Sequence, residues 1–305
     1  MTINTIEYSK LMQKKLDQAV IIGATSGWME ANAGEVIYNG GDEVKIPTMT
    51  TSGLADYDRD NGFVQGGITL KYNTYKMTQD RGRTFQIDRM DVDESGFVAT
   101  SANLIKVFQT EKVIPEIDSY RYSTIADIAI KANQSEAVAL TADNALTKIR
   151  EHIRAVQDIV GDDVPLILTM STKTRALIED SPKIGKSINV ADFKQGGMSF
   201  KVKSLDESVI RIAPSSRLKT KYEILDGTTS GQEAGGLKAA ADAKDINWII
   251  TPARVPIAIS KTDKLRVFEP DTNQKADAWK IDYRKYHDLW IKESNKKIIF
   301  VCVGA

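Results

Sequence analysis

The sequence predicts an α+β fold with two lobes and a projecting two-stranded arm, and three observations carry that prediction. Residues 41–88 pattern as two strands around a turn-rich stretch, with no neighbouring segment able to cover them. A run of helical periodicity longer than 35 residues follows at once. Further on, a short apolar strand leads directly into a helix, the mark of a packed α/β lobe. At 305 residues and 42% hydrophobic content, the chain is long enough for a real core and of a size at which one core divides into two.

The first forty residues give a weak helix over 5–20, then a small-residue stretch at 23–27 and Trp28, an arm expected to dock elsewhere. Residues 43–47 (EVKIP) read as a strand, 52–67 are dense in turn formers, and 68–87 alternate like a return strand. Two strands alone are marginal in water, so an arm of this length is best explained if neighbouring copies of the chain cover it.

Asp91, Asp93 and Glu94 place negative charge where a helix N-terminus favours it, ahead of Phe97, Leu104, Phe108, Ile114, Ile117, Tyr120, Ile125 and Ile128. Pro115 lacks the amide donor and clashes with the preceding turn, so it should kink or divide this helix. A second helix is expected from an N-cap at Thr141, burying Leu146, Ile149, Ile153, Val156 and Ile159 and stopping at Gly161. Residues 165–170 (PLILTM) read as a buried strand, with Ser171 or Thr172 capping the next helix. Strands are expected at 199–203, 209–212 and 246–250, with an exposed Gly-rich loop over 226–243. Strand patterns at 277–283 and 296–303 flank a turn, so the chain is expected to close on a hairpin or meander.

Forty-one basic residues balance forty-one acidic ones, so no global excess suggests wrapping of nucleic acid. The single cysteine, Cys302, sits in an apolar run, which excludes an intrachain disulfide and fits folding in the cytoplasm. No segment approaches the apolar length of a membrane span.

The chemistry-bearing residues give no catalytic signature. Residues 184–187 (IGKS) resemble the end of a phosphate-binding loop, but Asp180 stands where its first glycine belongs and would repel a phosphate. Asp88, Asp91, Asp93 and Glu94 lack the spacing of a calcium loop, and capping with salt bridges to Arg81, Arg83 or Arg89 explains them. His152 and His287 are the only bases that titrate near neutrality and Cys302 the only thiol, all in ordinary apolar settings. Tyr57, Arg59, Phe63, Tyr72 and Tyr75 form a stacking platform only if Asp56, Asp58 and Asp60 among them are ignored.

Several phrases resemble one family. Tyr57, Asp58 and Arg59, then residues 75–91 (YKMTQDRGRTFQIDRMD), 212–220 (IAPSSRLKT) and 283–288 (YRKYHD), are similar in content and order to the major capsid proteins of tailed bacteriophages, with the HK-ninety-seven-type coat fold. The resemblance covers about residues 1–303. It implies an N-terminal arm (1–40), an extended β-hairpin loop (41–90), a peripheral domain with a long spine helix (91–134 and 256–305) and an axial domain (135–255).

The implied function is a coat protein, not an enzyme, that self-assembles as hexamers and pentamers into an icosahedral virion head around double-stranded DNA. Catalytic residues, cofactors and metals are then none. Implied partners are other copies of the chain, a portal protein, packaged DNA held without specificity, and a separate scaffolding protein, because the arm begins almost at Met1. Assembly would take place in the host cytoplasm. The residues expected at subunit contacts are Tyr57, Arg59, Asp80, Arg81, Arg83 and Asp88. Two rivals stand beside this reading: an encapsulin-like nanocompartment shell, and a small-molecule enzyme or binding protein built on the α/β lobe.

Overall fold

A computed structural model describes residues 19–20, 23–38, 43–60, 62–90, 104–181, 188–195, 198–205, 208–273 and 275–305. The helix expected over 5–20, the acidic cap at 91–95 and the IGKS segment lie outside the described residues, apart from 19–20.

The body is organised by a seven-stranded mixed sheet. In spatial order its strands are β5 (Ser135–Ala137), β15 (Phe300–Val303), β12 (Ile246–Pro252), β6 (Leu166–Ser171), β9 (Ser208–Ala213), β8 (Met198–Leu205) and β7 (Ile188–Gln195). The central strands are apolar at almost every position because both faces are covered. On one face Leu166, Leu168 and Met170 of β6 join Trp248, Ile250 and Cys302 against helix α2 (Ala145–Val160) and Ile178 of helix α3 (Thr172–Glu179). On the other, Ile167, Ile249, Val301 and Val303 meet Tyr122, Ile125, Ala126 and Ala129 of helix α1 (Ile114–Lys131). A period of two therefore sends alternate residues of one apolar run into two different cores.

A second sheet has three antiparallel strands in the order β13 (Ile257–Phe268), β14 (Ala278–Trp290) and β4 (Gln79–Asp88). Ile105 and Phe108, from the helical residues ahead of α1, pack on its Leu265, Ile281 and Tyr283.

The long helix survives its proline. Residues 104–131 are helical throughout, and the backbone stays right-handed at Phe108, Val113 and Ile114. The expected break is replaced by a widened turn, Gln109–Val113, with π-type hydrogen bonding directly before Pro115. Such a turn re-routes carbonyls that a proline cannot serve, so the helical hydrogen bonding continues through it.

The described part of the N-terminal arm, residues 23–36, docks on its own subunit, against expectation. Trp28 and Met29, in the 3₁₀ helix Gly27–Glu35, are buried in the core under α1. The fully buried Asp118 carboxylate accepts from Thr25 N (3.1 Å) and Oγ1 (2.9 Å), from Ser26 N (3.0 Å) and Oγ (2.6 Å), and from the Arg217 guanidinium (2.9 Å). Asn32 Nδ2 donates to the carbonyls of Ala253 and Pro256, both at 2.8 Å.

Other differences have local causes. Thr141 does not cap α2: the Asn144 side chain accepts from the Thr141 N–H at 2.9 Å, holding the chain in a turn, and the helix starts at Ala145. It ends as expected at Gly161, whose φ of 87° is open to glycine, but Ile159 is exposed. Ser171 caps α3 as expected, accepting from Thr174 N at 3.1 Å. The Gly-rich loop is the tip and return strand of a hairpin, β10 (Tyr222–Leu225) with β11 (Gly236–Ala239), and is irregular over 226–235 and 240–243. Strand β7 was not foreseen. The chain does not close on a hairpin either: β15 inserts between β5 and β12, so the sheet takes strands from both 135–255 and the C-terminal segment.

Candidate assembly interface

The arm is a ribbon of β2 (Glu43–Thr51) and β3 (Ile68–Lys76), paired from Glu43↔Lys76 to Thr51↔Ile68, with the two-residue strand β1 (Ile37–Tyr38) beside its root. The predicted return strand is divided. At Met77 and Thr78 the chain leaves the ribbon, and β4 then pairs with β14 of its own subunit from Gln79↔His287 to Asp88↔Ala278.

The ribbon changes its apolar face along its length. At the root Val44 and Ile46 pack with Met77, Ile257, Trp290 and the partly buried Tyr75, so this end does have a partner in its own subunit. That face then turns polar, with Thr48, Thr50, Thr69, Lys71 and Asn73. The opposite face carries Pro47↔Tyr72, Met49↔Leu70 and Thr51↔Ile68. On it Met49, Leu70, Tyr72 and Ile68 are 63, 48, 52 and 73% exposed. Ser52 closes the ribbon: its N–H donates to Gly67 O at 3.0 Å and its Oγ accepts from Gly67 N at 2.9 Å. Beyond it a small turn forms at Asp58 and Gly62, where the Tyr57 and Phe63 rings meet at 4.9 Å while both stay largely exposed.

The root is fixed by a buried carboxylate. Asp288 accepts from Thr78 N (2.8 Å), Thr78 Oγ1 (3.0 Å) and Tyr120 OH (2.8 Å), tying the strand junction to α1. Burial, with Asp288 alongside, pushes the Tyr120 phenol up to about 12.

The six residues expected at subunit contacts fall into two groups. Tyr57 and Arg59 are exposed at the arm's tip, and Arg59 makes no ion pair among the described residues. Asp80, Arg81, Arg83 and Asp88 make contacts within the subunit. Asp80 takes both Arg284 Nε (2.8 Å) and NH2 (2.6 Å), and that hydrogen bonding holds its carboxyl below the usual range. Arg81 donates to Glu116 at 2.7 Å and to the carbonyls of Leu225 and Gly236. Arg83 donates to Glu233 O at 3.0 Å, its guanidinium lying against Gly227 and Gly235. Asp88 accepts from Met90 N at 2.9 Å. Arg81 and Arg83, two apart on one face of β4, thus clamp the β10–β11 hairpin. Arg89, expected to pair with the acidic residues of 88–94, pairs among the described residues with Asp271 and Asp277.

His152 and Cys302 sit in the core. Trp248 Nε1 can only donate, and it does so to His152 Nδ1 at 3.2 Å, so the proton resides on Nε2, which donates to Glu136 at 2.5 Å. Both ring nitrogens are thereby engaged, and burial pushes the Cys302 thiol up to about 12. Among the described residues no three His, Cys, Asp or Glu side chains gather as a metal site, and no helix is long and apolar enough to cross a membrane.

Burial lowers the pKa of both histidines, against the hydrogen bond to Glu136 for His152 and together with the charges of Arg121, Lys285 and Arg81 for His287. The fold therefore holds them neutral, whereas the unfolded chain takes up their protons near pH ~6.5. Stability from these groups is present above that pH and is lost as pH falls through it towards the folded values. The urea midpoint is expected to drop between neutral pH and about pH 5, and more shallowly in His287→Gln. Equal slopes in the two proteins would remove His287 from this account.

No protein-family model matches the chain, and no curated protein matches its sequence. Solved structures match its fold. It is similar to the capsid structure of the cyanophage P-SCSP1u, with a TM-score of 0.53 and 10% identity over 88% of this chain and 85% of that one. The asymmetric unit of the bacteriophage PhiM1 mature capsid gives 0.51 and 12%, over 88% and 84%. A structure from Microbacterium phage Oxtober96 gives 0.53 and 10%, over 88% of each chain. The two sheets, the proline-tolerant helix and the projecting ribbon together form an α+β chain with the fold of tailed-phage major capsid proteins.

Proposed function

We propose that the chain is a major capsid protein that assembles into an icosahedral shell around the double-stranded DNA of a tailed phage. The observation that carries this is the distal face of the ribbon, where Met49, Ile68, Leu70 and Tyr72 form an exposed apolar strip that no described residue of their own subunit covers. A strip on a two-stranded arm is stable in water only when covered, and in a chain with a capsid fold the fitting cover is a second copy.

In this reading 41–90 is the extended loop, with Tyr57 and Arg59 at its tip meeting a neighbour, while Asp80, Arg81, Arg83 and Asp88 stiffen the base that carries it. Hexamers and pentamers of the chain would close the shell, with a scaffolding protein, a portal and packaged DNA as further partners. Assembly, not turnover, is the mechanism, and the virion is where the protein ends up.

The test is electron microscopy of the protein expressed alone and together with a phage scaffolding protein. Closed particles tens of nanometres across, built from this chain, are the expected result. A homogeneous monomer under both conditions would end the shell reading, and shells filled with an enzyme instead of DNA would end the genome-container part of it.

A further inference from the structure

The β10–β11 hairpin is held to the subunit by polar contacts alone. No residue of 221–239 is buried and none joins an apolar cluster, whereas Leu218 and Ala240 on either side are buried. The hairpin is a two-stranded sheet of its own, and the Tyr222 hydroxyl pins its start by donating to Ser216 O at 2.8 Å. Beyond Tyr222, every hydrogen bond between 223–238 and the rest of the described subunit comes from two side chains of β4. Arg81 donates to Leu225 O at 3.1 Å and to Gly236 O at 3.3 Å, and Arg83 to Glu233 O at 3.0 Å. A segment with so little buried apolar surface belongs to the low-stability end of a structure.

The tip is wired to itself. Asp226 accepts from the N–H groups of Thr228 and Thr229, both at 2.8 Å, Gln232 Oε1 from Asp226 N at 3.2 Å, and Glu233 Oε1 from Gly231 N at 3.0 Å. Gly227 and Gly235, with φ of 76° and 64°, flank the Arg83 guanidinium, and a Cβ on them would lie 3.0 and 3.4 Å from it. Between this hairpin, β4, β14 and the helix entering α1 lies a cavity of about 450 Å³, with Phe85, Phe108, Val113, Ile117 and Tyr283 on its apolar side.

We propose that the hairpin is a lid on this cavity, hinged at Tyr222 and Ala239 and latched by Arg83, which lifts as one unit while the body stays folded. Lifting strands no charge: Arg81 keeps Glu116 at 2.7 Å, and Arg83, already exposed, passes to water. The lid belongs to the single subunit and does not depend on the shell reading.

Native-state hydrogen exchange on the full-length subunit tests it. The amides of 223–238 should exchange faster than those of β14, and Arg83→Gln should speed them about fivefold or more while β14 is unchanged. Gly227→Ala and Gly231→Ala both place a side chain at positive φ, but only the first would meet the Arg83 guanidinium, so only the first should match Arg83→Gln. Access to the cavity is read from iodoacetamide labelling of Val113→Cys, since Cys302, the chain's one cysteine, is buried. Labelling should quicken with Arg83→Gln by about the factor seen in exchange. Protection of 223–238 equal to that of β14, or exchange unmoved by Arg83→Gln, would overturn the lid. Faster exchange with unchanged labelling would overturn its control of the cavity.

Discussion

Met49→Lys combined with Leu70→Glu is expected to give a folded, soluble subunit that forms no shells. The two residues face each other across the ribbon and are both exposed in the subunit, so an opposite-charge pair at these positions preserves the strand pairing. Subunit stability should shift by no more than about 0.5 kcal/mol, as for other exposed sites. In a shell the same face would have to leave water carrying two charges, a desolvation of several kcal/mol per ion that an apolar partner surface does not offset. Met49→Leu with Leu70→Met keeps volume and apolarity and should assemble. Circular dichroism, urea unfolding and particle yield separate the outcomes. Normal particles from the charged variant would mean that this face stays in water after assembly, and an unfolded variant would mean that it packs within the subunit.

The position of that face was legible in the sequence, but only through parity. Val44 and Ile46 alternate on even positions and Met49 breaks to odd; Ile68, Leu70 and Tyr72 are even, and Tyr75 and Met77 are odd. A change of parity in both strands of a hairpin means that the apolar side crosses from one face to the other, with one partner at the root and a different one beyond it. Reading 68–87 as a single strand hid this, because β4 continues the alternation while pairing with β14, some two hundred residues away in sequence. The resemblance picked out Tyr57 and Arg59, which are exposed at the tip. It also picked out Asp80, Arg81 and Arg83, whose partners Arg284, Glu116 and the β10–β11 carbonyls lie far off in the chain.

Local signals worked where the cause was local. Ser171 caps α3, Gly161 ends α2, and the apolar run around Cys302 is a buried strand. They failed where a distant partner decides. Nothing near Trp28 announces that Asp118 holds the segment before it, and nothing near 296–303 says that the last strand enters a sheet between β5 and β12. Pro115 is an intermediate case: its local chemistry was read correctly, but a widened turn absorbs it, and tertiary packing of Ile105, Phe108 and Ile117 keeps the helix whole.

Asp118→Ala is expected to destabilise the subunit by about 3–5 kcal/mol, the range for removing one partner of a buried ion pair. Asp118 is fully buried on α1 and is the common acceptor for Thr25, Ser26 and Arg217. Without it the N–H and hydroxyl groups of Thr25 and Ser26 lose their acceptor, and the charge of Arg217 loses its counterion. Arg121 donates to Ser26 O and Oγ and pairs with Glu30 at 2.6 Å, so its own carboxylate partner is untouched by the substitution. Each donor left unsatisfied costs about 1–3 kcal/mol, so the least costly response is for the segment to detach, withdrawing Trp28 and Met29 from the core. Asp127→Ala, which breaks an exposed pair with Lys131 on the same helix, serves as the control and should cost less than about 1 kcal/mol. Urea midpoints measure the difference, and limited proteolysis reports detachment through new cleavage between residues 20 and 36. Equal midpoints for the two variants would mean that apolar packing alone docks the N-terminal segment. A large loss of stability without new cleavage there would mean that Asp118 acts through Arg217 and α1 and not through Thr25 and Ser26.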